Sequence, residues 1–385
     1  MYLLNLFRRA RKWFDDPSKH LLRIELNRSA MEYNLSQLEK LFNKHYLAIV
    51  LKSNAYGHGL KEIGIFLNKR KEVDYLVVDS IIEAKSLRDN GVSKPIIILG
   101  YVPRAAIISL RKLGKIIFVI NSKEQAEILQ VLVDFKLRVH IKVDTGMNRQ
   151  GIAIEELEHV LKVLSFNKKI KIEGMLSHLA DADGPSGLTT QDQIRKWRIA
   201  LDLYRHYNRS DKGVFHFAAT AGTRYVSTAE NNLVRVGIGF YGFDTTQDKQ
   251  LHVKPVLSFW AKIVNLKNVK KGEKIGYGLT YTATKDMKIA VVPCGYYEGI
   301  PRSLSNNGFM YYREYALPIV GIVSMNLAVL DVSEVIEPLH IEDEIEVYAG
   351  RSGKLNSIDH VAEVCGTIPY EILAKLAPTI RRVVT

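Results

Sequence analysis

"AIVLKSNAYGHGL", residues 48–60, begins as an apolar, β-branched run and stops abruptly at Lys52, after which small, polar and glycine residues follow. Continuous rather than alternating apolarity reads as a strand covered on both faces, as in parallel sheets. Lys52 therefore stands where a buried strand meets a loop. A lysine in such a place either holds an anionic ligand or, as a neutral amine, attacks a carbonyl carbon. A side chain that merely reaches out to solvent is the plain alternative.

Working outward, the same signature recurs in "YLAIVL" (46–51), "DYLVVD" (74–79), "PIIILG" (95–100), "KIIFVI" (115–120), "LRVHIKV" (137–143), "IKIEGMLS" (170–177), "VFHFAA" (214–219) and "NLVRVGI" (232–238). Amphipathic stretches such as "IIEAKSLRDNG" and "SKEQAEILQVLVDF" separate them, as helices would. Eight strand–helix units in about 240 residues have the size of an α/β fold of the (β/α)8 TIM-type barrel class. An open doubly wound sheet is the alternative, and the lack of a G-x-G-x-x-G after the first strand weakens its dinucleotide-binding version. After about residue 245 the pattern changes to alternating strands, "LSFWAKIVNL", "MKIAVVP", "LAVLDV" and "DEIEVYA", which read as a smaller, mostly β C-terminal domain. The helical stretch "SIDHVAEVCGTIPYEILAKL" then closes the chain. The expected partition is a basic amphipathic leader over 1–20, a barrel over 21–245 and a β domain over 246–385.

The 385 residues are 47% hydrophobic, enough for a large core, and carry a formal charge of +13. That charge would suit a polyanion, but it is dispersed, and no zinc-finger spacing, RNA-binding aromatic run or long basic block accompanies it, so no nucleic-acid partner is expected. Cys294 and Cys365 cannot build a disulfide framework or a cysteine-rich zinc site, which fits a reducing compartment such as the cytoplasm; no metal is expected. No apolar run is long enough to span a membrane. In the opening "MYLLNLFRRARKWF", Leu3, Leu6, Phe7, Ala10 and Phe14 share one helical face, which suits a helix packed on protein or, less favourably, lying at a membrane surface.

In a barrel of this kind the site lies at the C-terminal ends of the strands. Lys52, "DTGMNR" (144–149), His178, Thr220 and Gly237 all fall there. "AATAGT" (218–223) and "RVGIG" (235–239) are small, backbone-exposing segments where barrels bind phosphate, with a hydroxyl at Thr220. A lysine after strand one and a phosphate cup after strands seven and eight are what a phosphorylated aldehyde cofactor needs.

At this point "LKSNAYGHG" (51–59) closely resembles the cofactor-lysine signature of the alanine racemases, barrel-type enzymes that use pyridoxal 5'-phosphate (PLP). The resemblance continues through "KVDTGMNRQG", "EGMLSHLADAD", "VRVGIGFYG", "GYGLTYTA", "GYYEGIPRSLSNNG", "PIVGIVSMNLAVLDVS" and "TIPYEIL", in the family's order, over about residues 20–385. It implies interconversion of L- and D-alanine, supplying D-alanine for peptidoglycan, by a homodimer whose active sites are shared between subunits. By resemblance Lys52 carries PLP covalently; Tyr56, one helical turn on, and Tyr370 reach its phosphate, with Thr220 and the backbone N–H groups of Gly237 and Ile238. Arg235 matches the arginine facing the pyridine nitrogen. Lys52 and Tyr277 match the two groups that exchange the Cα proton on opposite faces, and His178 matches the histidine that supports the tyrosine, a poor base near its ordinary pKa of about 10. Arg149, Met325 and Tyr296 match residues at the substrate, and Lys142 matches a lysine that some members carry as a carbamate.

Three positions depart from the family's commonest pattern. Ala219 precedes Thr220 where an amide or hydroxyl is usual, Asn326 stands where aspartate is frequent, and Tyr297–Glu298 replaces an Ala-Asp pair. The loss of a carboxylate at 326 would remove negative charge near the substrate and bears on substrate range, so a racemase of serine or another amino acid is the alternative. Single-domain PLP-binding barrels lack the second domain that carries Tyr277, and PLP decarboxylases are disfavoured by Arg235.

Overall fold

A computed structural model describes residues 20–182, 188–208, 212–245 and 251–385. The amphipathic leader read at 1–20 lies, but for His20, outside the described residues. The first strand, β1 (Leu22–Leu26), is one that a search for continuous apolar runs passes over, because it alternates: Ile24 and Leu26 are buried while Arg23 and Glu25 are partly exposed. It pairs antiparallel with β10 (Leu257–Lys262) and parallel with β19 (Arg381–Val384). Contacts accordingly divide the chain into a β-rich unit, Met1–Met31, Tyr56–Glu62 and Lys254–Thr385, and a barrel unit, Glu32–Ala55 and Ile63–Val253. Strand pairing thus ties Leu22–Leu26 to strands more than 230 residues away in sequence.

The barrel unit holds the eight expected parallel strands: β2 (Tyr46–Val50), β3 (Tyr75–Val78), β4 (Ile96–Ile98), β5 (Ile116–Ile120), β6 (Leu137–Lys142), β7 (Ile170–Leu176), β8 (Val214–His216) and β9 (Leu233–Val236). They run in the order β8-β7-β6-β5-β4-β3-β2-β9. The ring is nearly closed by the bridge between Ala219 and Arg235 and by Asn232, whose N–H donates to Phe215 O at 2.9 Å while its side chain accepts from Phe215 N. Ile49, Val77, Ile97, Ile117 and Val139 are fully buried, as strands covered on both faces require. Helices α1 (Arg28–Leu41), which starts in the β-rich unit, α2 (Leu60–Asn68), α3 (Ile81–Asp89), α4 (Arg104–Leu110), α5 (Lys123–Leu132), α6 (Ile154–Phe166) and α7 (Leu188–Asn208) alternate with the strands. Ser80 and Glu83 form a reciprocal cap at the start of α3. From α7, Trp197 stacks on Phe217 at 5.2 Å and donates to Glu230 O.

The β-rich unit holds a six-stranded sheet, a three-stranded sheet and a two-stranded ribbon. The first adds β15 (Phe309–Tyr312), β16 (Tyr315–Pro318) and β18 (Glu344–Tyr348) to β1, β10 and β19; the second is β11 (Asn265–Val269), β14 (Met287–Val292) and β17 (Ala328–Asp331); the ribbon is β12 (Lys274–Ile275) with β13 (Tyr281–Thr282). The stretch expected as a closing helix is two short helices, α8 (Ile358–Val364) and α9 (Pro369–Ala374), followed by β19. Among the described residues no helix is long and apolar enough to cross a membrane.

Candidate active site

Lys52 follows the end of β2, and the turn it opens is unusual. Ser53, Asn54, Ala55 and Tyr56 all have φ between 52 and 56°, one turn of left-handed helix made without a glycine. The helical turn expected between Lys52 and Tyr56 is thus present with the opposite hand, at roughly 1–2 kcal/mol per residue for L-amino acids. Its hydrogen bonds hold it: Ala55 N donates to Leu51 O at 2.8 Å, and Ser53 N donates to Glu83 Oε1 at 2.7 Å. The other oxygen of Glu83 accepts from Asp79 N and Ser80 N, so one carboxylate fixes both the start of α3 and the turn after Lys52.

Across the strand ends, β9 supplies Arg235, which is only 5% exposed. Its guanidinium donates to Ser177 O at 2.7 Å, to Phe217 O and to His216 O, and to two ring nitrogens, His216 Nδ1 at 2.9 Å and His178 Nδ1 at 3.2 Å. Every one of these acceptors is neutral; among the described residues no carboxylate pairs with this buried cation. Burial pulls its pKa down to about 10, so it keeps its proton. Because arginine can only donate, both imidazoles accept at Nδ1 and carry their protons on Nε2. His216 Nε2 then donates to His140 Nδ1 at 2.7 Å, while His178 keeps an Nε2–H to offer. Burial, then the positive charges of Arg235, Arg149, Lys142 and Lys52, push His178 down to about 3.

The fully buried pair His140–His216 was missed in the sequence, although a histidine inside an apolar strand is a signal worth reading. Burial, with Arg138 and Arg235, lowers His140 to about 3, and burial, His140 and Arg235 hold His216 well below its ordinary value. Unfolded histidines protonate near 6.5, so unfolding takes up protons between that pH and about 3, and stability falls as pH falls through this window. Each histidine then costs about 1.4 kcal/mol per pH unit. Urea midpoints measured from pH 7 to pH 4 should decline steeply, and more shallowly in His140→Gln; equal slopes would remove the pair as the cause.

Lys142, at the end of β6, is 9% exposed and reaches Gln150 Oε1 at 3.4 Å. Burial, then Arg149 and Arg235, lower its amine to about 8, against the opposing pull of Asp144 and Asp79. Asp144 Oδ1 accepts from the N–H groups of Gly146, Met147 and Asn148, shaping the loop that carries Arg149. Gln193 from α7, also missed, is buried and grips the neighbouring segment: it donates to His178 O and Thr145 and accepts from Ala180 N. After β8, Thr220 opens a 3-10 turn (Thr220–Tyr225), while its hydroxyl lies outside what is described. After β9, Phe240 N and Tyr241 N donate to Gly237 O and Ile238 O, so this turn's own bonds use carbonyls of Gly237 and Ile238 rather than their N–H groups.

The remaining expected site residues belong to the β-rich unit. The rings of Tyr56 and Tyr370 lie 5.8 Å apart, and burial, then Tyr370, push the Tyr56 phenol well above its ordinary value. Gly57 lets these segments meet: a Cβ there would lie 1.9 Å from Leu373 O of α9. Arg382 of β19 fastens the same place, donating to Gly57 O at 2.8 and 3.1 Å and to Ala377 O. Tyr277 stands on the 3-10 turn Tyr277–Leu279 and is 75% exposed; Met325 and Tyr296 are exposed as well. Among the described residues no three His, Cys, Asp or Glu side chains are grouped to hold a metal ion.

Known proteins carry the same organisation. The family model described as alanine racemase, N-terminal domain, matches residues 26–245, and that described as alanine racemase, C-terminal domain, matches 256–384. An alanine racemase of Syntrophobacter fumaroxidans is 34% identical over 92% of this chain and 94% of its own. Among solved structures, alanine racemase from Clostridium difficile 630 superposes with a TM-score of 0.87 at 30% identity, covering 95% of this chain and 96% of that one. Alanine racemase from Bartonella henselae with covalently bound pyridoxal phosphate does so at 0.82 and 26% identity, over 95% and 100%. With both domain models matched in order and relatives aligned along nearly its whole length, the chain belongs to the alanine racemase family.

Proposed function

We propose that this chain is a PLP-dependent enzyme that racemises alanine by a two-base mechanism, supplying D-alanine for peptidoglycan in the cytoplasm. The observation that carries the reading is Arg235: a buried, protonated guanidinium at the barrel rim with neutral partners only, His178 among them. Such a buried cation without a carboxylate partner suits an anionic group with a lone pair for the arginine, and a phosphorylated pyridine aldehyde has both. PLP, when bound, supplies a carbonyl carbon for an amine and a conjugated ring that takes up electron density from Cα.

Lys52 would attach that group, and Tyr56, Tyr370, Thr220 and the N–H groups of Gly237 and Ile238 would hold its phosphate. Arg235 would donate to the ring nitrogen, and its retained proton would leave that nitrogen unprotonated, which limits side reactions such as transamination. Once freed, Lys52 moves the Cα proton on one face and Tyr277 moves it on the other. The Nε2–H left on His178 supports the assignment, because a donor to the phenolic oxygen stabilises the phenolate and makes the tyrosine a usable base. Arg149, with Met325 and Tyr296, would take the substrate carboxylate. Lys142, with its amine near 8, is partly neutral around pH 7, the state that adds carbon dioxide; a carbamate would set an anion beside Arg149.

Exposure of Tyr277, Leu279, Tyr296, Tyr297, Met325 and Leu327 supports a homodimer in which this surface completes the partner's site. The test is racemisation by purified, PLP-loaded protein against a panel of L-amino acids. Alanine should show the highest kcat/KM and approach equal amounts of both enantiomers; a preference for serine or lysine would replace the reading.

A further inference from the structure

Two of the sequence departures meet in the folded chain. Glu298 is buried, 7% exposed, with Oε2 accepting from Gly295 N at 2.8 Å and Oε1 accepting from Asn326 Nδ2 at 2.8 Å. Among the described residues its carboxylate is met by these amides and by no cation. The main chain is joined at the same place: Tyr296 N donates to Ser324 O at 3.1 Å and Tyr297 N to Met325 O at 3.0 Å. The approach is so close that a Cβ at Gly295 would lie 2.1 Å from Ser324 O.

We propose that Glu298 and Asn326 form a matched carboxylate–amide lock that positions Tyr296 and Met325 for the substrate, with Glu298 as a positioning residue. This rests on the racemase reading and deepens it. An ionised carboxylate offers acceptors only, so its neighbour must supply an N–H, and an amide does so where a second carboxylate would repel it. In this chain the amide of Asn326 supplies that N–H to Glu298 Oε1, and Gly295 N supplies the other to Oε2. The carboxylate at 298 is kept as glutamate on a side chain withdrawn from solvent, while position 326 is neutral. Met325 and Asn326 are adjacent, and Tyr296 lies between Gly295 and Glu298, so the lock grips both segments on either side of the residues assigned to the substrate.

Asn326→Asp places like charges within hydrogen-bond distance, and Glu298→Ala leaves two N–H donors without their acceptor. In each, KM for alanine and Ki for propionate, a probe of the carboxylate subsite, should rise about tenfold, with kcat changed by less than about threefold, in line with an unmet buried polar group. In the double variant Glu298→Gln with Asn326→Asp, the glutamine accepts from Gly295 N and donates to the aspartate, so both constants should return to within about threefold of the wild type. Melting temperatures are measured in parallel. A lower melting temperature with unchanged KM and Ki, or a double variant as impaired as Asn326→Asp, would overturn the lock as a positioning device. Wild-type racemisation, measured first, tests the underlying reading separately; if it fails, the pairing is judged by whether the double variant restores the melting temperature that Asn326→Asp lowers.

Discussion

Lys52→Ala is expected to abolish racemisation, lowering kcat/KM by at least about 10³-fold, or roughly 4 kcal/mol of barrier. The same change should remove the visible absorption of the lysine-linked cofactor, because no other amine stands directly after β2. The protein should remain folded, since the barrel is held by its apolar strands and Lys52 is only half-buried at their rim. Lys52→Arg is the sharper control: it keeps a positive charge but offers an amine that stays protonated, so a site that needed only charge would survive it. A small primary amine added to Lys52→Ala should restore part of the activity, since it replaces the missing base without replacing the charge's position. Full activity in Lys52→Ala, or survival of Lys52→Arg, would end the assignment.

Most of the fold could be read from the sequence because the barrel strands are buried on both faces and so appear as unbroken apolar runs. "KIIFVI" needs no partner to be recognised, and β5 (Ile116–Ile120) lies within it. β1 and β19 were hidden for the opposite reason: short and partly polar, they become strands only by pairing with each other and with β10 across the length of the chain. The left-handed turn after Lys52 was equally invisible, since "KSNAY" contains no glycine and only Asn54 among its residues favours that conformation. What imposes it is a tertiary contact, the Glu83 carboxylate on Ser53 N.

The candidate site was legible where a residue type was out of place in its pattern, as with Lys52 at the end of a buried run. His140 and His216 satisfied the same test and were overlooked, because each lies inside a strand and its meaning depends on a neighbour 76 residues away. Their role is visible only once Arg235 is seen to need neutral acceptors. A buried cation surrounded by carboxylates would already be neutralised; one held by imidazoles and carbonyls keeps its field for a ligand. That choice of acceptors, repeated in the lowered basicity of His178 and Lys142, links the electrostatics of the rim to the anionic cofactor proposed for it.

Tyr277→Phe should separate the two faces of the reaction. The substitution removes one oxygen from a side chain that is 75% exposed, so the fold and the attachment of cofactor at Lys52 should be unaffected. Exchange of the Cα hydrogen with deuterated solvent should continue for one enantiomer, through Lys52, and fall by about 10²- to 10⁴-fold for the other, the range of a positioned acid or base. Net racemisation needs both faces and should fall with the slower. A phenol serves as a base only with help, and the help assigned to His178 comes from its Nε2–H, which exists because Arg235 occupies Nδ1. His178→Phe should therefore slow the same enantiomer's exchange as Tyr277→Phe, and the double variant should be little worse than either alone, as expected of groups that act as one unit. Equal slowing of both enantiomers in Tyr277→Phe would instead mark the tyrosine as a structural part of the site, and the second base would have to be sought elsewhere.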